Sequence, residues 1–397
     1  MTTPTGTRIL RARDDNETRV SFAELFFDLI YVFAVTQLSH TLLGHLTFTG
    51  VLETLILWFA VWLAWQYTCW FTNWFDPETM PVRIVLFVLM LLGLLMAASL
   101  PEAFGERGLL FACCYSTIQV GRTFYGLVVL KRDNNPLSAN FARIVGWSAI
   151  AAVFWIGGGL AQGESRIWFW VIAVACDYLS PMFGFWLPRL GRSHTSDWTV
   201  EGGHMVERCA LFVILALGES ILVTGATIAK AEGWDASTLA AFFTAFVGSI
   251  AMWWMYFDTS SKAATEFIVH SGDPGRYAAY FHYIHVLLIA GIIVTAVGND
   301  LSIDHPYGHV ATTNAVVILG GPTIYIIGNA IYKRVIHGNI PLSHMVGMAA
   351  LVLATPFAFL TDLLVISIVT TLILAVVAGW EALSRRKLPA EAHGEPA

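Results

Sequence analysis

Apolar residues along this chain form twelve long segments separated by short polar stretches. The segments lie at 20–45, 51–74, 82–100, 109–130, 141–160, 166–187, 203–228, 236–257, 277–298, 310–332, 341–360 and 363–383. Each has roughly 18–26 residues, and a helix of about 20 residues crosses the hydrocarbon core of a bilayer. Runs such as Ile84 to Ala98 do not alternate as barrel strands would. The pattern predicts an all-α polytopic membrane protein with about twelve transmembrane helices.

Composition and basic residues support this class and give it an orientation. Hydrophobic residues make up 56% of the chain and charged residues 13%, with a mean hydropathy of +0.65. Soluble domains carry about 25% charged residues, so an ordinary soluble domain is excluded. Of the 22 Lys and Arg, 17 fall on alternate loops or at the segment edges beside them, three fall likewise on the opposite side, and Arg122 and Arg208 lie deep inside segments. Because cytoplasmic loops retain positive charge, both termini are predicted to be cytoplasmic.

The segments divide into two similar halves. Glu24 and Asp76 are 52 positions apart, and Glu207 and Asp258 are 51 apart, with aromatic residues before each Asp. This spacing predicts two six-helix parallel repeats, at 20–187 and 203–383, joined by a cytoplasmic linker at 188–202. Residues 1–19 and 384–397 are predicted to be solvated cytoplasmic tails, and the first tail has no apolar core of a removable signal peptide.

Several kinds of site are not predicted. The five cysteines lie inside segments without CxxC spacing, which favours free thiols over disulfides or zinc ligands. No basic face with interleaved aromatic residues indicates a nucleic-acid partner, and no glycine-rich fingerprint indicates a nucleotide. We therefore predict no metal and no cofactor. The expected partners are the lipid bilayer and an unidentified small solute or lipid ligand.

Ionisable residues inside the segments are the candidate functional groups, because each costs about 2.5–3.5 kcal/mol to insert. Carboxylates outnumber arginines among them, so a proton, a cation or a histidinium is needed as an additional partner. The predicted substrate or proton pathway consists of Glu24, Asp28, Arg122, Asp177, His204, Glu207, Arg208, Glu219, His282 and His285. No catalytic residue is assigned.

Helical spacing groups some of these residues on common faces. Glu24 and Asp28 are one turn apart on the first helix, and His204, Glu207, Arg208 and Glu219 fall within an arc of about 120° on the seventh. His282 and His285 are three residues apart, close enough to share a ligand, a metal or a proton. In the alternative interpretation these groups only join helices, through salt bridges with Arg122 or Arg208, interhelical hydrogen bonds and histidines packed on tyrosines.

Interrupted helices and one outer loop complete the predicted features. Pro181 follows Asp177 in the sixth segment, and Gly320-Gly321-Pro322 lies in the tenth, so a kink near a binding site is expected in each. Asn299-Asp300-Leu-Ser-Ile-Asp304 is predicted to be an outer loop with solvated aspartates.

Two stretches resemble a known family. Glu24-Leu-Phe-Phe-Asp28-Leu-Ile-Tyr31-Val-Phe-Ala-Val-Thr-Gln37-Leu resembles the opening signature of the bacterial low temperature requirement protein A family. Glu207-Arg208-Cys-Ala-Leu-Phe, running on to Leu217-Gly218-Glu219-Ser220, is similar to its second stretch, with Ala210 where glycine is expected. The resemblance implies an integral inner-membrane protein associated with growth in the cold, and it implies no particular substrate or reaction.

Three functional hypotheses follow. The leading one is a transporter of a small polar or ionic solute coupled to protons, in which the carboxylates carry the proton or cation. The alternative is an intramembrane enzyme or a lipid-handling protein that uses the same carboxylates and histidines. The second alternative is a non-transporting assembly or stress-sensing protein. The oligomeric state stays open.

Overall fold

The chain is folded into helices joined by short loops. A computed structural model describes residues 9–11, 19–231, 233–258 and 261–386. The helices are α1 (Phe22–Gly44), α2 (Phe48–Trp74), α3 (Met80–Ser99), α4 (Gly108–Arg132), α5 (Ser138–Leu160), α6 (Glu164–Met182), α7 (Gly202–Lys230), α8 (Ala236–Phe257), α9 (Ser261–Val269), α10 (Pro274–Asp304), α11 (Thr312–His337), α12 (Leu342–Ala358) and α13 (Leu363–Arg386). Most of the two predicted tails, 1–19 and 384–397, lies outside the described residues.

Many of these helices are long and apolar enough to cross a membrane. Within the described parts of the chain, nine meet both criteria, namely α1, α2, α3, α5, α7, α8, α10, α11 and α13. The apolar helix α12 is shorter, with 17 residues. The predicted helical membrane class is therefore supported, whereas the count of twelve spans and the two-repeat organisation stay predictions.

Two stretches that hydropathy assigns to loops are helical in the structure. The predicted connection at 258–276 contains α9, in which Ala264 and Ile268 are buried. The predicted outer loop at 299–304 is the last part of α10, because Ile303 packs against the buried residues Ile228 and Ala241. Asp300, which was predicted to be solvated, is buried in this helix and accepts a hydrogen bond from the Thr227 hydroxyl.

By their contacts the residues form two compact units. The first comprises the described residues of 1–212 and 268–282, and the second those of 213–267 and 283–397. In the first unit, Phe71, Phe75 and Phe141 lie in a core cluster against which Ile9 and Leu10 pack. Leu10 also pairs with Phe75 in an isolated bridge, so this part of the N-terminal tail is attached to the end of α2. In the second unit, Ile228, Ala241, Ala245 and Ile303 form a smaller cluster.

Helices α6 and α11 contain the prolines at which the sequence predicts kinks. Helix α6 ends at Met182, one residue after Pro181, and α11 is continuous through Pro322. Gly321 instead permits close approach of α10, because a Cβ there would lie 2.5 Å from the backbone nitrogen of Thr295. Gly291 of α10 is equally close to the backbone of Tyr325 on α11. Small residues of this kind allow membrane helices to pack backbone against backbone.

We expect Gly321→Ala to lower the free energy of unfolding by about 1–3 kcal/mol, the range for overpacked cores. The neighbouring Gly320 is a matched control, because a Cβ there would meet nothing within 4 Å. Gly320→Ala should leave stability unchanged or raise it by up to about 1 kcal/mol through helix propensity. Melting in one detergent compares the two variants, and equal melting temperatures would contradict this account of the α10 and α11 contact.

Candidate functional site

Glu24 lies in the first turn of α1, where it caps its own helix. The Ser21 backbone N–H donates to Glu24 Oε2 over 2.9 Å, and the Ser21 hydroxyl donates to the same oxygen over 3.0 Å. In return the Glu24 N–H donates to Ser21 Oγ, which completes a capping box. The Glu24 side chain is fully buried. The cap therefore orients a buried carboxylate at the end of the helix that is predicted to be cytoplasmic.

Three cationic or imidazole groups surround this carboxylate. Arg11 Nη2 lies 2.9 Å from Glu24 Oε2, whereas His204 Nε2 and Arg208 Nη1 lie 2.8 Å and 3.3 Å from Oε1. Arg11 is further fixed because its Nε donates to the carbonyl of Thr72 over 2.6 Å. We call Arg11, Glu24, Asp28, His204 and Arg208 the arginine–carboxylate cluster.

Asp28 extends the cluster one turn deeper along α1. Arg208 Nη2 donates to Asp28 Oδ1 over 2.5 Å, and the indole N–H of Trp65 donates to the same oxygen over 2.8 Å. The guanidinium of Arg208 also lies over the Trp65 ring, 5.8 Å from its centroid. Arg208 and Asp28 are both buried, so the pair is enclosed by protein. Arg208 thus joins two carboxylates on successive turns of one helix.

The hydrogen bonds determine which nitrogen of His204 carries the proton. Asn73 Oδ1 accepts from the Glu201 N–H over 3.0 Å, and Asn73 Nδ2 donates to the Glu201 carbonyl over 2.9 Å, which fixes the orientation of the amide. Asn73 Nδ2 then faces His204 Nδ1 at 3.2 Å, so Nδ1 accepts. His204 Nε2 therefore carries the hydrogen and donates to Glu24 Oε1. Arg11 Nη2, which is also a donor, lies 3.4 Å from this nitrogen. This arrangement holds a neutral imidazole.

The cluster is balanced in charge. Two arginines face two carboxylates, and the neutral His204 adds none. The sequence suggested an excess of buried carboxylates, because it placed Arg11 in a solvated tail. The structure corrects the placement of Arg11: its side chain is only 8% exposed and supplies the second positive charge of this cluster. A proton added to His204 would leave the cluster with one positive charge in excess.

Several buried polar atoms beside the cluster have no hydrogen-bond partner in the described structure. They are Asp28 Oδ2, Tyr31 OH, Trp58 Nε1, Trp62 Nε1 and Gln66 Oε1. Tyr31 is three residues beyond Asp28 on α1, and Trp58 is seven residues from Trp65 on α2, a rise of about 10 Å. Buried polar groups are normally satisfied by protein or water. The unsatisfied atoms therefore continue the polar character of the cluster deeper along α1 and α2.

A second buried set in the same unit contains Arg122 and Asp177. Arg122 Nη2 donates to Gln119 Oε1 over 2.6 Å, Gln119 Nε2 donates to Tyr115 OH over 3.0 Å, and that hydroxyl donates to Asp177 Oδ2 over 2.8 Å. Trp155 Nε1 donates to the same oxygen over 2.9 Å. We call Arg122, Gln119, Tyr115 and Asp177 the Asp177 chain. It links a buried cation to a buried carboxylate through neutral groups.

The remaining predicted residues lie elsewhere. Glu207 is exposed on α7 and accepts a hydrogen bond from the Val20 N–H over 3.1 Å, so the predicted stripe of α7 is not uniformly buried. Glu219 is buried in the part of α7 that belongs to the second unit. His282, in the first unit, packs against the rings of Trp65 and Trp70. His285, in the second unit, lies 2.8 Å from the Tyr256 hydroxyl.

Sequence reasoning missed a buried ion pair in the second unit. Lys333 of α11 pairs with Glu381 of α13, and His344 Nδ1 lies 3.2 Å from the other carboxylate oxygen. Both charged residues stand near the ends of hydrophobic segments, where snorkelling to the interface is the usual expectation. Their separation of 48 positions offered no local signal. Arg11 and Asn73 were missed for the same reason, since each meets its partner across the fold.

Arg11→Gln should lower the free energy of unfolding by about 1.5–3 kcal/mol, the range for hydrogen bonds to charged groups. The reason is that Glu24 keeps only Arg208 as a permanent cationic partner. Arg19→Gln is the matched control, because Arg19 is exposed. Thermal unfolding in detergent measures both. A variant at Arg11 that melts like the variant at Arg19 would show that this part of the tail does not stabilise the cluster.

Helices of membrane-crossing length and a buried cluster of paired charges define this chain as a multi-pass integral membrane protein. Among the described residues, no three His, Cys, Asp or Glu side chains are grouped to hold a metal ion. The family model of the bacterial low temperature requirement A protein (LtrA) matches residues 19–379. The chain belongs to the LtrA family.

A relative shows how far this similarity extends. The chain is 37% identical over 384 residues to a Rhizobium meliloti (strain 1021) protein named Uncharacterized protein RA0937, and the match covers 96% of this chain and 93% of the relative. No solved structure matches the chain. Family membership thus extends over both compact units.

Proposed function

We propose that this membrane protein transports a small polar or ionic solute and that His204 couples the movement to protons. The observation that carries the proposal is the run of buried, unsatisfied polar atoms that begins at Asp28 and continues to Trp58. Leaving such groups without partners costs about 1–3 kcal/mol each. Water or a polar solute would supply the partners, and polar groups lining a path within a membrane protein are typical of transport.

The chemistry of these atoms suits a solute with both donors and acceptors. Tyr31 OH and the indole N–H groups of Trp58 and Trp62 donate, whereas Asp28 Oδ2 and Gln66 Oε1 accept. The aromatic rings of Trp58 and Trp62 lie 5.5 Å apart and offer flat apolar surfaces beside the polar atoms. A small solute would exchange its hydration shell for these groups.

Protonation of His204 provides a physical basis for coupling. If His204 Nδ1 gained a proton, two N–H donors, His204 Nδ1 and Asn73 Nδ2, would face each other at 3.2 Å, and this contact is repulsive. Relief requires the amide to turn, and turning breaks both of its bonds to the Glu201 backbone. A proton would therefore loosen the attachment of the start of α7 to the end of α2.

The test is a flux assay in liposomes. We expect the purified protein to accelerate acidification of a pH-sensitive internal dye, or uptake from a panel of small charged and zwitterionic solutes, relative to protein-free vesicles. Glu24→Gln should reduce the rate at least about tenfold, a change of about 1.4 kcal/mol in the barrier. The reason is that a neutral amide at this position cannot balance Arg11 and Arg208.

Glu164→Gln is the matched control. Glu164 also lies in the first turn of a helix, but it is exposed on α6. It should transport at the wild-type rate. Folded wild-type protein that moves nothing beyond protein-free vesicles, or equal losses in the two variants, would contradict the proposal.

The charge balance of the cluster favours one competing function, in which the ion pairs only hold α1, α2 and α7 together. Such pairs fix how helices pack and need no solute. Under that function, every variant of the cluster would lose activity in the cell only in proportion to its loss of stability. Measuring melting and flux on the same preparations separates the two functions.

A further inference from the structure

A groove lies between α12 and α13 in the second unit. Its volume is about 260 Å³, and its walls are almost wholly apolar. Gly347 and Ala350 line it from α12, and Val369, Val376 and Trp380 line it from α13. The distance from Val369 to Trp380 corresponds to about 16 Å of helix. A narrow apolar groove of this length suits an extended hydrocarbon chain.

One end of the groove meets a polar cluster. Ser343 lines the groove, donates to Glu381 Oε1 over 3.3 Å and lies 3.2 Å from His344 Nδ1. Glu381 pairs with Lys333, and His344 Nε2 lies 2.9 Å from Asn329 Oδ1. We call Asn329, Lys333, Ser343, His344 and Glu381 the α11–α13 cluster. The groove is therefore apolar along most of its length, and Ser343 connects one end of it to the polar α11–α13 cluster.

One unsatisfied donor of the cluster lies outside the lining of the groove. Asn329 is fully buried, and its Nδ2 has no hydrogen-bond partner among the residues that the structure describes. Lys333 and Glu381 neutralise each other, so the cluster itself adds no net charge. Selectivity for charge would have to come from residues around the cluster.

One neighbouring residue of α11 is basic. Arg334 is exposed in the last turn of α11, one residue after Lys333. The distribution of basic residues predicts this end to be cytoplasmic, where anionic lipid headgroups attract Lys and Arg. Trp380 stands at the same end, as interfacial tryptophans do.

We propose that the α12–α13 groove binds one acyl chain of an anionic phospholipid, with the phosphate at the end marked by Ser343 and Trp380. The apolar walls take the chain, Ser343 lies at the headgroup end of the groove, and the nearby Arg334 selects the charge of the headgroup. The site lies wholly in the second unit. It does not depend on the proposed transport function, since no residue of the arginine–carboxylate cluster contributes to it.

The test is lipid retention measured by native mass spectrometry. The full-length protein is reconstituted in nanodiscs of equal parts phosphatidylcholine and phosphatidylglycerol and then released into the gas phase. We expect wild-type protein to retain one phosphatidylglycerol with about fivefold preference over phosphatidylcholine, the size expected from one nearby basic residue. Val376→Trp fills the groove and should abolish retention. Arg334→Gln should keep a bound lipid but lose the preference.

Val352→Trp is the matched control, because Val352 lies outside the groove and is 67% exposed, against 62% for Val376. It should retain phosphatidylglycerol like the wild type. Equal retention in Val376→Trp and Val352→Trp would overturn the site, and so would retention without preference in the wild type. The site would also be overturned if the wild type were dimeric and Val376→Trp lost the dimer while it kept the lipid. That result would assign the groove to a second copy of the chain.

Discussion

Arg208→Leu should lower the free energy of unfolding by about 3–5 kcal/mol, the largest loss of stability that we expect from a single substitution in this protein. Arg208 is fully buried and contacts both Glu24 and Asp28. Its removal leaves the Trp65 indole as the side-chain donor to Asp28 among the described residues, so a buried carboxylate loses its counter-ion. Chemical or thermal unfolding in detergent, with the wild type alongside, measures the loss.

A double variant distinguishes an uncompensated charge from lost packing. In Asp28→Leu/Arg208→Leu both members of the pair are gone, and Glu24 still contacts Arg11 and His204. We expect the double variant to be more stable than Arg208→Leu alone, because replacing both charges by apolar groups is often neutral. The interaction energy from the double-mutant cycle should exceed about 1 kcal/mol. Additive losses would show that Asp28 and Arg208 do not act as a pair.

Asp28→Asn should reduce flux in liposomes at least about tenfold while the protein stays folded, the largest functional effect that we expect. The asparagine oxygen can still accept from Arg208 and Trp65, so the local hydrogen bonds are kept. The unsatisfied Oδ2, however, is replaced by an amide donor. A path that needs an acceptor or a negative charge at this depth is then closed.

The control for this experiment is Asp133→Asn. Asp133 follows the last residue of α4 and is exposed. Its flux should match that of the wild type. If Asp28→Asn transports normally, Asp28 does not belong to the pathway. If its flux falls only as far as its melting temperature does, the cluster has a structural role.

Hydropathy and residue spacing predict the long helices well, because each span must bury its own backbone and present an apolar surface to lipid. Helix α3 begins and ends within a few residues of its predicted segment. The end of α10, by contrast, lies beyond its predicted segment. Ile303 and Glu381 are held by partners far along the chain, which local periodicity does not show.

The candidate site was predicted in part. The free-energy cost of placing a charge inside a membrane segment identifies Glu24, Asp28 and Arg208 as candidates. A salt bridge between Arg208 and the two carboxylates was among the alternatives. The geometry depends on contacts across 180 positions between α1 and α7, which one sequence does not show. Arg11 is the clearest case, since a basic residue in a polar tail is normally solvated. Here the isolated β-bridge between Leu10 and Phe75 places the next residue, Arg11, beside Glu24.

Hydroxyl-radical footprinting is the most direct test of the central claim, that the polar atoms beside Asp28 line a hydrated path. Radicals generated by X-rays from internal water modify adjacent aromatic side chains, which mass spectrometry then locates. Trp155 and Trp170 are matched controls, because both are fully buried and their indole N–H groups are satisfied by Asp177 and by the Trp155 carbonyl. We predict faster modification of Tyr31, Trp58 and Trp62 than of these two controls, despite their burial. Equal protection of all five residues would show that the region is dry and would contradict the proposed path.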